Sequence, residues 1–223
     1  MSTINVTGKG SIHVVPDITR LEVVIESLFQ SYEDAYSHAK NNSEWVGKIL
    51  EYNELSAKLA KTIKFNISDH LENEYDDNEN YIGKFKNGFE LTQKFKIDLG
   101  IDNTLLNKIV KGIGKFIPDA QIDIGYTVKD PRPNQLKMLQ RAVTDAKDKA
   151  ELMAEAAGCK LGKVQEISYN YSDIHIYSQA RSIHSNNEAI TSTPSSLDIT
   201  PDDLVVSDNV IVKWELIENL TTN

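Results

Sequence analysis

Residues 134–167 read NQLKMLQRAVTDAKDKAELMAEAAGCKLGKVQEI and carry the clearest structural pattern of the chain, a long alanine-rich helix that leads into a strand. Apolar residues recur there at steps of three and four, which places them on one helical face. This stripe comprises Leu136, Leu139, Val143, Ala146, Ala150, Met153 and Ala157. The side chains of this stripe become smaller along the helix, from leucine to alanine. Because small side chains let two backbones approach, we expect the second half of the helix to lie close against a sheet.

The sequence also marks both ends of this helix. Pro131 and Pro133 stand at its start, where a missing amide donor costs little. Gly158 can adopt the left-handed conformation that ends many helices. Gly162 is then expected to bend the chain into a strand that begins near Val164.

The N-terminal residues predict a hairpin. Residues 3–14 alternate between apolar and polar types, as strands do, with Gly8 and Gly10 on the apolar face. Glycine inside a strand marks either a bulge or the close approach of another backbone. Pro16 and Asp17 form the predicted turn, and residues 18–29 are expected to pair back on the first strand.

The middle of the chain alternates strands and helices. Helices are predicted from Ser31 to Leu50 and from the cap residue Asp102 to Phe116. Strands are predicted at residues 63–67, 89–99 and 122–128. Residues 70–80, HLENEYDDNEN, have no apolar period and are predicted to be a loop or a mobile hairpin tip.

After the long helix, a sixth strand is predicted from Val164 to Tyr171 or as far as Tyr177. Residues 178–202 are rich in Ser, Asn, Thr and Pro and are predicted to form a long exposed loop. A last strand alternates from Val210 to Leu216, and residues 219–223 are expected to be a disordered tail.

This order of elements predicts an α+β fold. Residues 18–128 follow the order strand, helix, strand, strand, helix, strand, which is that of a ferredoxin-like βαββαβ unit. We expect mainly antiparallel sheets of about seven strands and three helices, with the alanine-rich helix packed on a sheet. Residues 1–218 form one domain, or two subdomains of which 18–128 is one.

Composition favours an ordinary globular protein, with 40% apolar and 26% charged residues. The net charge of −9 argues against a general nucleic-acid surface. Tyr169, Tyr171 and Tyr177 alternate with polar residues and could stack on bases, but the acidic composition favours a half-buried sheet face for them. No apolar run approaches the roughly 20 residues of a membrane helix. The N-terminus lacks a signal-peptide pattern, so the chain as written is expected in the cytoplasm, or in the periplasm if a leader has been removed.

One acidic stretch partly matches a calcium-binding loop. Asp76, Asn78 and Asn80 stand at its first, third and fifth positions. Tyr81 replaces the required glycine, however, and Asn87 replaces the glutamate that supplies two ligands. We therefore expect a solvated acidic loop.

Other motifs fail as well. Gly8 and Gly10 begin a nucleotide-binding GxGxxG pattern, but His13 takes the place of the third glycine and no helix follows. Cys159, the single cysteine, excludes an internal disulfide and is expected to be a small buried hydrophobe. No two histidines share a metal-ligand spacing; the five are His13, His38, His70, His175 and His184. We predict no catalytic, cofactor-binding or metal-binding residues, and no cofactor.

Three patterns together resemble the SIMPL-domain family, catalogued as a domain of unknown function, over residues 4–216. They are Ile4-x-Val6-x-Gly8-x-Gly10 with Val14 and Pro16-Asp17; the ladder Ala142, Ala146, Ala150 and Ala154 followed by Gly158, Leu161, Gly162 and Val164; and a closing strand from Pro201 through Val210, Val212, Trp214 and Leu216.

The resemblance implies properties that the residues alone do not. Family members include bacterial periplasmic proteins linked to oxidative stress defence, an immunogenic envelope antigen and a ring-forming homo-oligomer; an animal member associates with an immune-signalling kinase. The resemblance implies a non-enzymatic homo-oligomeric assembly or protein-interaction protein, stress- or envelope-related, that partners with itself as at least a dimer. The acidic composition predicts that it binds no nucleic acid. We expect an edge strand or the loop 178–201 at the interface. The alternative is an enzyme or small-ligand-binding protein with a site between subunits.

Overall fold

The computed structural model describes residues 2–169, 176–184 and 201–218, apart from the side chains of 177–184. These residues form eight strands, three α-helices and a short 3-10 helix at Ala57–Leu59. In chain order the main elements are β1 (Ser2–Val14), β2 (Ile18–Phe29), α1 (Tyr32–Tyr52), β3 (Ala60–Tyr75), β4 (Tyr81–Gly100), α2 (Asn103–Phe116), β5 (Ala120–Thr127), α3 (Arg132–Ala156), β6 (Cys159–Ser168), β7 (Tyr177–His184) and β8 (Leu204–Glu218). The predicted α+β fold is confirmed.

The described residues divide into two compact units. The first unit contains β1, α3, β6 and β8, and its sheet has the order β1-β8-β6. The second unit contains β2 to β5, α1, α2 and nearly all of β7, and its sheet has the order β3-β4-β2-β5-β7.

The second unit has the predicted ferredoxin-like arrangement. Its βαββαβ elements give the strand order β3-β4-β2-β5, with neighbouring pairs antiparallel. Ser31 and Asp102 cap α1 and α2 through side-chain oxygens that accept backbone N–H bonds. Apolar side chains on one sheet face pack against the buried faces of both helices. The fully buried ones include Leu21, Ile25 and Ile97 from the strands, and Leu50, Leu106, Ile109 and Ile113 from the helices.

In the first unit α3 lies on its sheet with little space between. Ala142, Ala146, Ala150 and Ala154 are all buried. A Cβ on Gly10 would fall 2.0 Å from the carbonyl oxygen of Met138, so only glycine allows this approach. The pairing of β1 with β8 is regular from Ser2 to Val14, so the strand has no bulge at Gly8 or Gly10. Of the two predicted roles for these glycines, the close approach of another backbone is the one observed.

The predicted hairpin between β1 and β2 is wrong. Every residue of β1 pairs with β8, from the other end of the chain. Strand β2 already has neighbours on both sides, β4 and β5, so its edges are filled. The turn at Pro16 therefore carries the chain from one sheet to the other.

The predicted buried face of the long helix is right in the middle, where Ala146 and Ala150 are buried, and wrong toward both ends. Leu136 and Met153 are more than half exposed, whereas Met138 and Ala154 are buried. The sheet beneath carries glycines, and these accept the small alanines better than the larger residues of the predicted stripe. The following strand begins at Cys159, before Val164, and Cys159 is only partly buried.

Residues 70–80 form the end of a hairpin, which was one of their two predicted alternatives, and the predicted loop at 178–202 begins with a strand. Residues 70–75 continue β3, because β4 supplies a partner as far as Tyr81. Residues 177–184 form β7 beside β5. The remainder of that predicted loop, 185–200, lies outside the described residues, as do Tyr171, His175 and the predicted tail 219–223.

Candidate functional site

The acidic stretch at residues 76–80 is the turn that joins β3 to β4. The Asp76 carboxylate accepts hydrogen bonds from the backbone amides of Asn78 at 2.9 Å and Asn80 at 2.8 Å. It also accepts one from the Asn80 side chain at 3.1 Å. The backbone and side-chain bonds from Asn80 hold the pKa of Asp76 below its ordinary value. This carboxylate shapes the turn.

The structure brings together three side chains that the sequence did not connect. Ser27 of β2 donates a hydrogen bond to Asp119 Oδ2 at 2.8 Å, and His38 Nε2 of α1 lies 3.0 Å from the same oxygen. In a catalytic triad the histidine stands between the serine and the carboxylate, whereas here the carboxylate stands between the other two. Burial raises the pKa of Asp119, but the hydrogen bonds from Ser27 and from its own backbone amide, together with His38, outweigh burial and leave that pKa lowered. The group ties two elements to the turn before β5.

Metal ligands do not cluster in the part of the chain that the structure describes, where no three His, Cys, Asp or Glu side chains could hold an ion together. None of the described helices combines the length and apolar character that crossing a bilayer requires.

A two-stranded hairpin arm, residues 70–88, extends from the second unit's sheet. Strand β2 pairs with β4 only between Phe89 and Gly100. Residues 81–88 of β4 therefore have β3 as their one strand neighbour among the described residues. A two-stranded hairpin is only marginally stable in water unless something else covers it.

The hairpin arm exposes large apolar side chains, each between 44% and 59% exposed: Leu71, Tyr75, Tyr81, Ile82 and Phe85. At its tip the rings of Tyr75 and Tyr81 meet edge to face, with centroids 6.1 Å apart. Several large apolar side chains exposed on one short segment favour an interaction site there.

Strand β3, which forms one side of this arm, is also the end strand of its sheet. It is 16 residues long, and no described strand pairs with its outer edge. Ile63 and Phe65 on the same strand are each 48% exposed. A long, apolar edge strand is a template for pairing with another chain.

The edge of β1, in contrast, is covered by its own helix. The amide of Lys9 donates to the Asp145 carboxylate at 2.7 Å, and Arg141 donates to the carbonyl of Ser11 at 2.7 Å. Lys149 reaches the carbonyl of Thr7 at 3.5 Å. Helix side chains thus satisfy the peptide groups that a neighbouring strand would use, which leaves β3 as the better candidate for an exposed interface.

Charge changes sign along β3. Lys61 and Lys64 lie near its start, and Glu72 and Glu74 lie near its end in the hairpin arm. All four side chains are exposed. Two copies of β3 placed antiparallel would set the lysines of one beside the glutamates of the other.

The chain matches one family description, "SIMPL: Protein of unknown function (DUF541)", over residues 4–214. No curated protein matches the chain.

Proposed function

Since the chain belongs to the SIMPL family, a family of unknown function, we propose from its surface that it is a non-enzymatic, homo-oligomeric assembly protein whose copies join through β3. The observation that carries this proposal is the 16-residue outer edge of β3, which continues into an arm with exposed apolar side chains. Edge-to-edge pairing would extend the five-stranded sheet across two subunits.

A second copy is the occupant that the charges favour. A two-fold axis places the same strand antiparallel to itself. In that orientation Lys61 and Lys64 of one copy meet the acidic end, Glu72 and Glu74, of the other. A parallel arrangement would oppose like charges along the whole edge, which destabilises pairing.

Self-association would also cover the hairpin arm. Pairing along β3 turns the two-stranded arm into a four-stranded layer and removes part of its apolar surface from water. The gain falls on Leu71 and Tyr75, β3 side chains that the second unit leaves exposed.

Light scattering after size exclusion tests the proposal. We expect the chain, 25.0 kDa as a monomer, to elute at no less than twice that mass at micromolar concentration. A variant with Phe65→Thr and Leu71→Thr, two exposed positions of β3, should shift toward the monomer, since it keeps strand-forming residues but loses apolar contact. A matched control, Val205→Thr with Ile211→Thr, changes exposed strand residues of β8 and should keep the wild-type mass. A monomeric wild type at high concentration would refute the proposal.

A further inference from the structure

A cleft of about 940 Å³ lies on the outer side of the two helices of the second unit. Trp45 of α1 stacks on Phe116 of α2, with ring centroids 4.4 Å apart and planes 11° from parallel. Further along, Ile49 lies against Gly112, where an added Cβ would come within 2.9 Å of it. The two helices therefore run antiparallel and close together, and the cleft follows the groove between them.

The floor of this cleft is apolar and its rim is basic. Ile49, Leu105, Trp45 and Phe116 contribute to the lining, and the last two are 36% and 39% exposed. Four lysines line the same cleft: Lys48, Lys108, Lys111 and Lys115. Glu54 is the one acidic residue in the lining, so the cleft is positive although the whole chain has a net charge of −9.

The lysines on α2 form a regular row. Their spacing of three and four residues keeps them on one helical face, opposite the buried Leu106, Ile109 and Ile113. The helix contains no aspartate or glutamate. Within the described residues neither Lys108 nor Lys115 lies within 4.0 Å of a carboxylate oxygen. Lys115 instead stands over the Phe116 ring at 5.1 Å.

We propose that this cleft binds an acidic peptide segment of a partner protein. An apolar side chain of the peptide packs on the exposed faces of Trp45 and Phe116, while its carboxylates pair with the lysine row. Lys108 and Lys115 are separated along the helix by about 10 Å. Carboxylates on alternate positions of an extended peptide lie about 7 Å apart on one face. The long, flexible lysine side chains make up the remaining difference of about 3 Å.

The apolar floor favours a peptide over a nucleic acid. A phosphate backbone is recognised by an extended basic surface, whereas here four lysines surround hydrophobic side chains in an otherwise acidic protein. Alternating acidic and apolar residues supply both kinds of contact. The site is separate from β3, so its occupation does not depend on self-association of the chain.

Trp45 makes the cleft directly observable. The chain has two tryptophans; Trp214 is 3% exposed and belongs to the first unit, whereas Trp45 lies in the cleft. The probe is a short blocked peptide of alternating glutamate and leucine, titrated into the full chain. Binding should change tryptophan fluorescence with a saturable, salt-sensitive curve. The same peptide with glutamine in place of glutamate should bind about tenfold or more weakly.

Variants decide whether the signal comes from the cleft. Lys108→Glu with Lys115→Glu should weaken peptide binding by about tenfold or more, while its circular dichroism and its molar mass stay as in the wild type. Lys137→Glu with Lys147→Glu makes the same charge change on exposed positions of α3 and should leave binding intact. Equal binding by both variants, no saturable binding at all, or tighter binding of a single-stranded oligonucleotide than of the peptide would each overturn the proposal. If the Lys108→Glu, Lys115→Glu variant loses peptide binding but keeps the wild-type molar mass, the loss comes from the cleft and not from the β3 interface.

Discussion

Gly8 of β1 faces Ala146 of α3 so closely that a Cβ on Gly8 would lie 2.6 Å from the Ala146 Cβ. The same atom would lie 2.0 Å from the carbonyl oxygen of Ala142, a backbone atom that cannot rotate away. Strand β1 and helix α3 can therefore approach this closely because Gly8 has no side chain and Ala146 has a small one.

Replacing Gly8 should separate these two elements. Gly8→Ala is expected to lower the free energy of unfolding by about 3 kcal/mol, because the helix must shift to admit a methyl group. Urea unfolding measures the loss. Gly83→Ala is the matched control, since a Cβ at this strand glycine meets nothing within 4 Å. Equal stability of the two variants would contradict the close approach.

Enlarging the helix side of the contact should have a similar effect. Ala146→Leu is expected to cost about 1–3 kcal/mol by overpacking. Ala156→Leu places the same side chain on an exposed position of α3 and should change stability little. The melting temperatures of the two variants test this, and a fully stable Ala146→Leu protein would show that the interface has room.

The Asp145 carboxylate should make stability depend on pH. The hydrogen bond from Lys149, followed by that from the Lys9 amide, lowers the pKa of Asp145 in the folded state. A lowered pKa contributes stability above the ordinary value of about 3.9, and this is lost as pH falls through the folded value. Asp145→Asn should therefore be less stable than wild type near neutral pH.

Chemical denaturation across the acid range measures this difference. The two proteins should converge as the pH falls through the lowered folded-state pKa of Asp145, below which both side chains are neutral. Asp148→Asn, on an exposed position of the same helix, serves as the control and should follow the wild type. A difference for Asp145→Asn that persisted unchanged at the lowest pH would argue against the carboxylate as its source.

The turn at Asp76 should hold the hairpin arm together. Asp76→Ala removes three hydrogen bonds to Asn78 and Asn80. We expect faster amide hydrogen exchange in residues 70–88, with little change in the rest of the second unit. Asp77→Ala, in the same turn, should leave exchange in the arm unaltered. Uniform exchange in both variants would mean that the turn does not depend on this carboxylate.

Local patterns predicted much of this fold. The order of elements in residues 18–128 identified the ferredoxin-like unit. The alanines indicated a helix close to a sheet, and Gly8 and Gly10 a bulge or a close approach, but only the structure shows that they meet each other. The partner of β1 was missed because β8 follows it by about two hundred residues. Alternation of apolar and polar residues shows which face of a strand is buried, but it does not show which strand lies next to it.

The candidate surfaces were harder to predict. Residues 70–75 lack an apolar period because solvent reaches both faces of the hairpin arm, so the strand depends on its pairing with β4. The lysine row at 108, 111 and 115 is visible in the sequence, but the helix that completes the cleft is brought to it by the fold. Ser27, His38 and Asp119 likewise meet only through tertiary structure.

A charge-exchange measurement tests the β3 interface most directly. One variant, Lys61→Glu with Lys64→Glu, makes the whole edge acidic; the other, Glu72→Lys with Glu74→Lys, makes it basic. Antiparallel pairing then opposes like charges within each variant and opposite charges between them. Light scattering should give about the monomer mass of 25.0 kDa for each variant alone and twice that mass for their equimolar mixture. Wild-type mass for each variant alone, or a mixture that stays monomeric, would contradict the account.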